Sequence, residues 1–311
     1  MMILWTGVSA AATLTSTQGE DKMDKVIITT FTDPMMGLSY ETEPVFRKLE
    51  THFADKIEFK YNMSLLVDDV YRFVNPADLQ ISKEYALAKY LPELARIYEQ
   101  EEMISGMPVN MQNFRLFSTE YTSSKPLNLA YKAAELTDKS KADLFLYHLR
   151  YATIVDCLPT THFDEIIKVV RQTGIDEETF LQYYQNGTAE ENLQTDLNRA
   201  RQMGIYSLPA YLLEYRDKAV LVRHLIGYDD FVNVIAQLTD GSIKPQKAQK
   251  TLENIMSLID KHPLISPIEI REAFDFDNID EVKDFIKPLV EGGKISLIDV
   301  YHGWFIKKLE K

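Results

Sequence analysis

The pattern of apolar and polar residues divides the first part of the chain into a strand, a helix and a second strand. Residues 25–32 are apolar and β-branched, which is typical of a buried strand, and Asp33-Pro34 follows them. Helical spacing runs from Tyr40 to Phe53, with Pro44 inside it, where a proline should bend the helix. Residues 55–62 alternate and predict the second strand, which completes a right-handed β-α-β unit.

A long helical region comes next. Between Met63 and Gly204 the apolar spacing is helical and strand signals are few. Gly174, Gly187 and Gly204 follow the ends of three helices, where left-handed caps belong. The pattern predicts helices at Lys83–Met103, Pro126–Thr137, Ala142–Cys157, Asp164–Thr173, Glu177–Asn186 and Ala189–Met203.

Strand signals return after Gly204. Residues 210–214 and 219–224 predict a hairpin that turns at Arg216-Asp217, and Tyr228–Leu238 predicts a closing helix. The order is therefore β-α-β, a long helical insertion, then β-β-α.

The last part of the chain, residues 248–311, has its own pattern after a linker at residues 244–247. It predicts three helices and two short strands, which is typical of a winged-helix domain. The helix that would read DNA, Ile279–Val290, carries several carboxylates, so we do not expect it to bind nucleic acid.

Several motifs resemble the DsbA-like branch of the thioredoxin superfamily, a family of disulfide oxidoreductases and isomerases. These motifs are Asp33-Pro34, Tyr40, Glu43-Pro44 and Leu208-Pro209, and the resemblance covers residues 25–238. It implies a cis peptide bond at Pro209. The predicted fold class is α+β, a thioredoxin-like fold with a large helical insertion and a small C-terminal winged-helix-like domain.

Four regions follow from this assignment. Residues 1–22 form an N-terminal extension, which precedes an alternative start at Met23 and is expected to be disordered; a cleaved export signal is the alternative. The thioredoxin-like domain comprises residues 23–63 and 205–243, the insertion residues 64–204, and the winged-helix-like domain residues 248–311.

The chain departs from the family at its two catalytic cysteines. Met36 stands in the position of the nucleophilic cysteine and Ser39 in that of the resolving cysteine. Dithiol chemistry requires a thiolate, so neither residue can perform it. Cys157 is the only cysteine among 311 residues, and we interpret it as a buried or semi-buried free thiol rather than a redox partner.

Composition narrows the function further. The net charge of −13 disfavours a nucleic-acid partner or an anionic membrane, and the lack of disulfides fits a cytoplasmic protein. The six histidines have no metal-ligand spacing, and we expect neither a metal nor a cofactor. The oligomeric state stays open.

Ser39 is the one candidate catalytic residue, as a nucleophile. The alternative is that it caps the N-terminus of the helix that follows, which is an ordinary role for a serine in this position. Glutathione transferases of the kappa class use a serine in this fold, but at the position of Met36. We expect Met36, Gly37, Leu38, Ser39, Leu208 and Pro209 to line a groove, in which Met36, Leu38 and the backbone around Leu208-Pro209 form a continuous, partly exposed surface facing the insertion. The apolar residues at this site either contact a ligand or pack against the insertion.

The leading hypothesis is a redox-inactive DsbA-like protein that binds a peptide, a protein or a small thiol ligand in this groove. The alternatives are a thiol-disulfide oxidoreductase or isomerase, as the resemblance implies, or a glutathione-type transferase or isomerase that uses Ser39.

Overall fold

The computed structural model describes residues 25–309, so the predicted N-terminal extension lies outside the described residues. No helix in that range is both long and apolar enough to cross a membrane. The strands and helices, in chain order, are β1 (Val26–Thr32), α1 (Gly37–Tyr40), α2 (Glu43–Phe53), β2 (Ile57–Met63), α3 (Pro76–Ile81), α4 (Lys83–Ser105), α5 (Lys125–Thr137), α6 (Ala142–Ile154), α7 (Phe163–Gln172), α8 (Glu177–Gln185), α9 (Thr188–Gln202), β3 (Ala210–Tyr215), β4 (Lys218–Val222), α10 (Tyr228–Leu238), α11 (Leu252–Lys261), β5 (Leu264–Ile265), α12 (Pro267–Phe274), α13 (Ile279–Glu291), β6 (Ile295–Val300) and β7 (Gly303–Lys308).

A four-stranded sheet with the order β2-β1-β3-β4 forms the centre of the first part. Strand β1 is parallel to β2 and antiparallel to β3, and β3 and β4 form the expected hairpin. Side chains alternate across β1 and β3, so each face has its own core. One face packs against α2 and α10, and the other packs against the end of α9.

The helical insertion builds the largest core. Helix α5 lies at its centre and buries Leu127, Ala130 and Ala133 completely. The same apolar cluster includes Met35 and Tyr40 from the segment after β1. It also includes Leu264, Ile268 and Phe305, which belong to the C-terminal part of the chain.

The C-terminal part has the three predicted helices and two predicted strands, plus the short strand β5, in a sheet with the order β5-β7-β6. It is tied to α2. Thr51 Oγ1 donates to the carbonyl of Ala273 at 3.0 Å, and Lys48 Nζ lies 2.7 Å from Asp275 Oδ1. Helix α12, which contains Ala273 and ends just before Asp275, therefore packs on α2.

Most predicted helices end within three residues of the observed ones, but the first was wrong. Residues 40–53 do not form one helix, because α1 ends at Tyr40 and α2 begins at Glu43. Pro44 lies in the first turn of α2, where its missing N–H costs nothing, so it does not bend the helix. Ser39 lies inside α1, and the predicted N-cap role is also wrong, since Met36 precedes the helix.

Candidate functional site

Asp33, at the end of β1, anchors the segment that carries Met36 and Ser39. Its buried carboxylate accepts hydrogen bonds from the backbone N–H groups of Met35 (3.0 Å) and Leu66 (2.8 Å). It also accepts from Ser124 Oγ at 2.6 Å and Asn128 Nδ2 at 2.8 Å, both in or just before α5. Burial outweighs these bonds and raises the pKa of Asp33. The segment is thereby fixed to the insertion.

The two positions where the family has thiols are buried. Met36 is only 5% exposed and Ser39 only 2%. Ser39 Oγ accepts a hydrogen bond from Thr32 Oγ1 at 2.7 Å, and Thr32 Oγ1 in turn accepts one from Arg150 Nη2 at 3.1 Å. None of these neighbours is a base that could deprotonate the serine. This geometry gives no support to a nucleophilic Ser39.

Helix α4 covers the same segment. The hydroxyl of Tyr98 donates to the carbonyl of Met35 at 2.5 Å, and both residues are buried. A Cβ atom on Gly37 would lie 1.9 Å from Glu101 Oε2 and 2.9 Å from Tyr98 Cδ1, so a larger residue here would require these two side chains of α4 to move. The expectation that Met36 is partly exposed was therefore wrong.

The predicted groove residues do not share one exposed surface. Met36, Gly37, Ser39 and Pro209 are buried, whereas Leu38 and Leu208 are partly exposed. The Leu208-Pro209 bond is cis, as the resemblance implied. Leu208 packs with the cluster around Phe31, while Met35 packs with the insertion. Ligand binding by these residues stays a prediction.

Two carboxylates beside the segment were missed by sequence reasoning. Glu41 follows α1 and accepts hydrogen bonds from the backbone N–H and hydroxyl of Ser105, while its Oε1 atom has no hydrogen-bond partner among the described residues. Burial raises the pKa of Glu41 to about 8 and that of Glu101 to about 7. Both carboxylates are shielded from water because α4 packs over α1, so no local sequence pattern could reveal their raised pKa values.

A buried ionic cluster joins α2 to the C-terminal part, centred on Arg47. Its guanidinium contacts Glu43 at 2.7 Å, Glu50 at 2.9 Å and Glu269 at 3.1 Å. Arg150 adds a second ion pair with Glu43 at 2.6 Å. Burial raises the pKa of Glu269 to about 7, despite the opposing charge of Arg47.

A cavity of about 260 Å³, lined by both charged and apolar side chains, lies beside this cluster, between α2, β2, α6 and the residues around His262. Its charged lining residues are largely paired with one another, as Arg47 is with Glu43 and Glu50. Within residues 25–309, no group of three or more His, Cys, Asp or Glu side chains could hold a metal ion. Cys157 is a buried free thiol, and burial raises its pKa.

Comparison with known proteins decides the family. A family model described as thioredoxin matches residues 29–230, more than half of the chain. The chain belongs to the thioredoxin family. This thioredoxin-family chain has the DsbA-like fold that its motifs predicted, without the two active-site cysteines.

Two solved structures illustrate the fold of this thioredoxin-family protein. A putative protein disulfide isomerase from Nitrosomonas europaea has a TM-score of 0.54 at 16% identity, over 70% of this chain and 96% of that one. A probable DsbA oxidoreductase from Streptomyces coelicolor has a TM-score of 0.52 at 15% identity, over 71% of this chain and 93% of that one. At these identities the likeness concerns the fold alone.

The curated relatives of this thioredoxin-family chain are named as protease adapters, not as disulfide isomerases or oxidoreductases. The ClpXP adapter protein SpxH of Halalkalibacterium halodurans is 24% identical over 301 residues, which cover 94% of this chain and 92% of the relative. The protein of the same name from Bacillus subtilis is 24% identical over 90% of this chain and 88% of its own length. Both matches extend well beyond the region of the family model.

Proposed function

We propose that this chain is a redox-inactive adapter that binds a partner protein and delivers it to the ClpXP protease. The observation that carries the proposal is the match to ClpXP adapter proteins over 94% of the chain, including its C-terminal part. The fold alone suggests a disulfide enzyme, but the chain has methionine and serine in place of the thiols. Met36 and Ser39 are themselves buried, which argues against thiol chemistry at this segment.

This proposal replaces part of the sequence hypothesis. A partner at Met36 is not supported, because that side chain is buried, and a transferase mechanism at Ser39 is not supported, because its hydroxyl has no neighbouring base. Of the partners that the sequence suggested, the proposal keeps a protein. A cytoplasmic location is part of the proposal, as is the winged-helix-like nature of residues 248–311.

A substrate-trapping experiment tests the adapter role. ClpX from Bacillus subtilis is combined with ClpP whose catalytic serine is replaced, so that translocated proteins are retained rather than degraded. Extract from the source cells is incubated with this complex and ATP, with or without the purified chain, and the retained proteins are identified by mass spectrometry.

We expect a small set of proteins to be retained at least tenfold more when the chain is present and only when ATP is present. The Cys157→Ser variant is the matched control, and it should retain the same set because the proposal involves no thiol. If the retained proteins are the same with and without the chain, the adapter proposal is wrong.

A further inference from the structure

The cavity of about 260 Å³ lies where the thioredoxin-like part, the helical insertion and the C-terminal part meet. Phe46 and Phe59 line it from α2 and β2, Leu146 lines it from α6, and Leu264 lines it from β5. We call this space the junction cavity. Ligand sites lie preferentially at such places, where separate structural units come together.

The volume of the junction cavity limits the size of a ligand. Pockets that take drug-sized ligands have volumes of roughly 300–1,000 Å³, and the junction cavity, at about 260 Å³, is slightly smaller. It therefore suits a small organic molecule and excludes one of the size of a nucleotide. In such pockets apolar walls supply most of the contact area, and a few polar groups fix the orientation of the ligand.

One wall of the junction cavity is aromatic. The ring centroids of Phe46 and Phe59 lie 5.0 Å apart, with the two rings inclined at 34°. Tyr61 extends this wall, because it follows Phe59 by two residues on β2 and alternate residues of a strand point to the same face. The hydroxyl of Tyr61 makes no hydrogen bond with any group in residues 25–309. The wall therefore combines rings, which attract cations, with a hydroxyl that is free to bind a ligand.

The arginines at the junction cavity already have counter-ions. Arg47 contacts Glu43 at 2.7 Å, Glu50 at 2.9 Å and Glu269 at 3.1 Å, and Arg150 contacts Glu43 at 2.6 Å. Two guanidinium groups therefore face three carboxylates. An anionic ligand would meet no unpaired positive charge among them and would add a further negative charge, which is unfavourable in a largely enclosed space.

Asp143 supplies a negative charge without a counter-ion. It lines the junction cavity from the first turn of α6 and is exposed, so the cavity opens on its side. Its carboxylate forms no hydrogen bond or ion pair within the described part of the chain, whereas the carboxylate of Glu58 lies 3.3 Å from Lys60. Burial raises the pKa of Tyr61, and the charges of Glu43 and Asp143 add to this effect, so Asp143 lies close to the free hydroxyl.

We propose that the junction cavity binds a small organic cation, a primary amine that carries one apolar group. The ammonium group donates hydrogen bonds to the carboxylate of Asp143 and the hydroxyl of Tyr61, and the apolar group packs against Phe46, Phe59 and Leu146. A metal ion is disfavoured as the counter-ion, because no group of three or more His, Cys, Asp or Glu side chains in the described residues could hold one. This inference goes beyond the adapter function and does not depend on it.

Calorimetry with three matched probes tests the requirement for a positive charge. The full chain is titrated at neutral pH with 2-phenylethylamine, 2-phenylethanol and 3-phenylpropanoate, which share a phenyl ring and differ in charge. We expect the amine to bind at least tenfold more tightly than the alcohol, and the propanoate to bind most weakly of the three. If the amine prefers the chain less than tenfold over the alcohol, binds no more tightly than the propanoate, or does not bind at millimolar concentration, the proposal is wrong.

Two isosteric variants then locate the site. Asp143→Asn removes only a charge and should weaken binding of 2-phenylethylamine at least tenfold, and Tyr61→Phe removes only a hydroxyl and should weaken it at least threefold. Asp164→Asn is the matched control, because Asp164 is exposed in the first turn of α7, outside the junction cavity, and it should change the affinity less than twofold. An affinity unchanged by Asp143→Asn or by Tyr61→Phe would overturn the site. Equal losses in the two aspartate variants would also overturn it, because the amine would then respond only to overall charge.

Discussion

At the scale of single residues, the burial of Met36 determines how much a substitution there changes the free energy of unfolding. The substitution Met36→Asp would place an unpaired carboxylate at a buried position, so we expect it to lower the free energy of unfolding by about 3 kcal/mol or more. Met36→Leu keeps the size and polarity and should cost less than about 1.5 kcal/mol. Urea unfolding followed by circular dichroism measures both. A Met36→Asp protein as stable as the unmodified chain would show that this side chain is exposed in solution.

The same burial predicts that restoring the thiols does not restore the enzyme. In the variant Met36→Cys, Ser39→Cys both sulfurs would replace side chains that are only 5% and 2% exposed, out of reach of a protein disulfide. We therefore expect insulin reduction by dithiothreitol to proceed at the same rate with the variant, the unmodified chain or no protein. Rapid insulin precipitation by the variant, persisting after Cys157→Ser, would contradict the closed arrangement.

Glu41 gives the stability a definite pH dependence. Its pKa is raised from the ordinary value of 4.5 to about 8, because burial disfavours the charged form. Between these values the folded chain keeps a proton that the unfolded chain releases, so this residue makes stability fall as the pH rises from about 5 to 8. Unfolding free energies across this range should show the decrease, and the isosteric Glu41→Gln variant should reduce its slope. Glu99→Gln, on the exposed face of α4, is the control; an unchanged slope in Glu41→Gln would contradict the assignment.

At the scale of elements, the contact between α2 and α12 depends on Glu269. Its buried carboxylate binds Arg47, the hydroxyl of Tyr147 at 2.5 Å and the backbone N–H of Ser266 at 2.8 Å. Removing it leaves three buried polar groups short of a partner, so we expect Glu269→Ala to lower the free energy of unfolding by about 3–5 kcal/mol. Glu253→Ala, an exposed change on α11, should cost less than about 0.5 kcal/mol. Equal losses in the two variants would show that the ionic cluster contributes little.

Local sequence patterns predicted most helices and strands. They failed where contacts between residues distant in sequence determine the structure. Gly174, Gly187 and Gly204 marked helix ends correctly, and each has a positive φ, of 63°, 92° and 65°. The turn at residues 41–42 was missed, because it depends on α4 and Ser105 rather than on neighbours in sequence. Pro44 was read as a bend since a proline inside a helical pattern normally breaks it, whereas here it starts α2.

At the scale of the whole molecule, the sequence was sufficient for the fold but not for the exposed surfaces. Asp33-Pro34 and Leu208-Pro209 mark the thioredoxin-like architecture, and the missing cysteines could be read directly. Burial of Met36 could not be predicted, because its neighbours in sequence are compatible with either an exposed or a buried side chain. The contribution of Arg47 was equally hidden, since its partners Glu43 and Glu269 are 226 residues apart in sequence.

The packing of the C-terminal part predicts that the chain unfolds as one unit. Leu264, Ile268 and Phe305 belong to the core of the insertion, and Glu269 pairs with Arg47 in α2, so the C-terminal part cannot separate without exposing both. Trp304 reports on this part, and the only other tryptophan, Trp5, can be removed by Trp5→Phe.

In the Trp5→Phe variant we expect the urea transition seen by Trp304 fluorescence to coincide with the transition seen by far-ultraviolet circular dichroism. The Glu269→Ala variant provides the comparison, because it weakens the contact between α2 and α12. There the fluorescence transition should move to lower urea and precede the dichroism transition. If the two transitions already differ in the chain with an intact Glu269, residues 248–311 unfold independently and the shared core does not couple them.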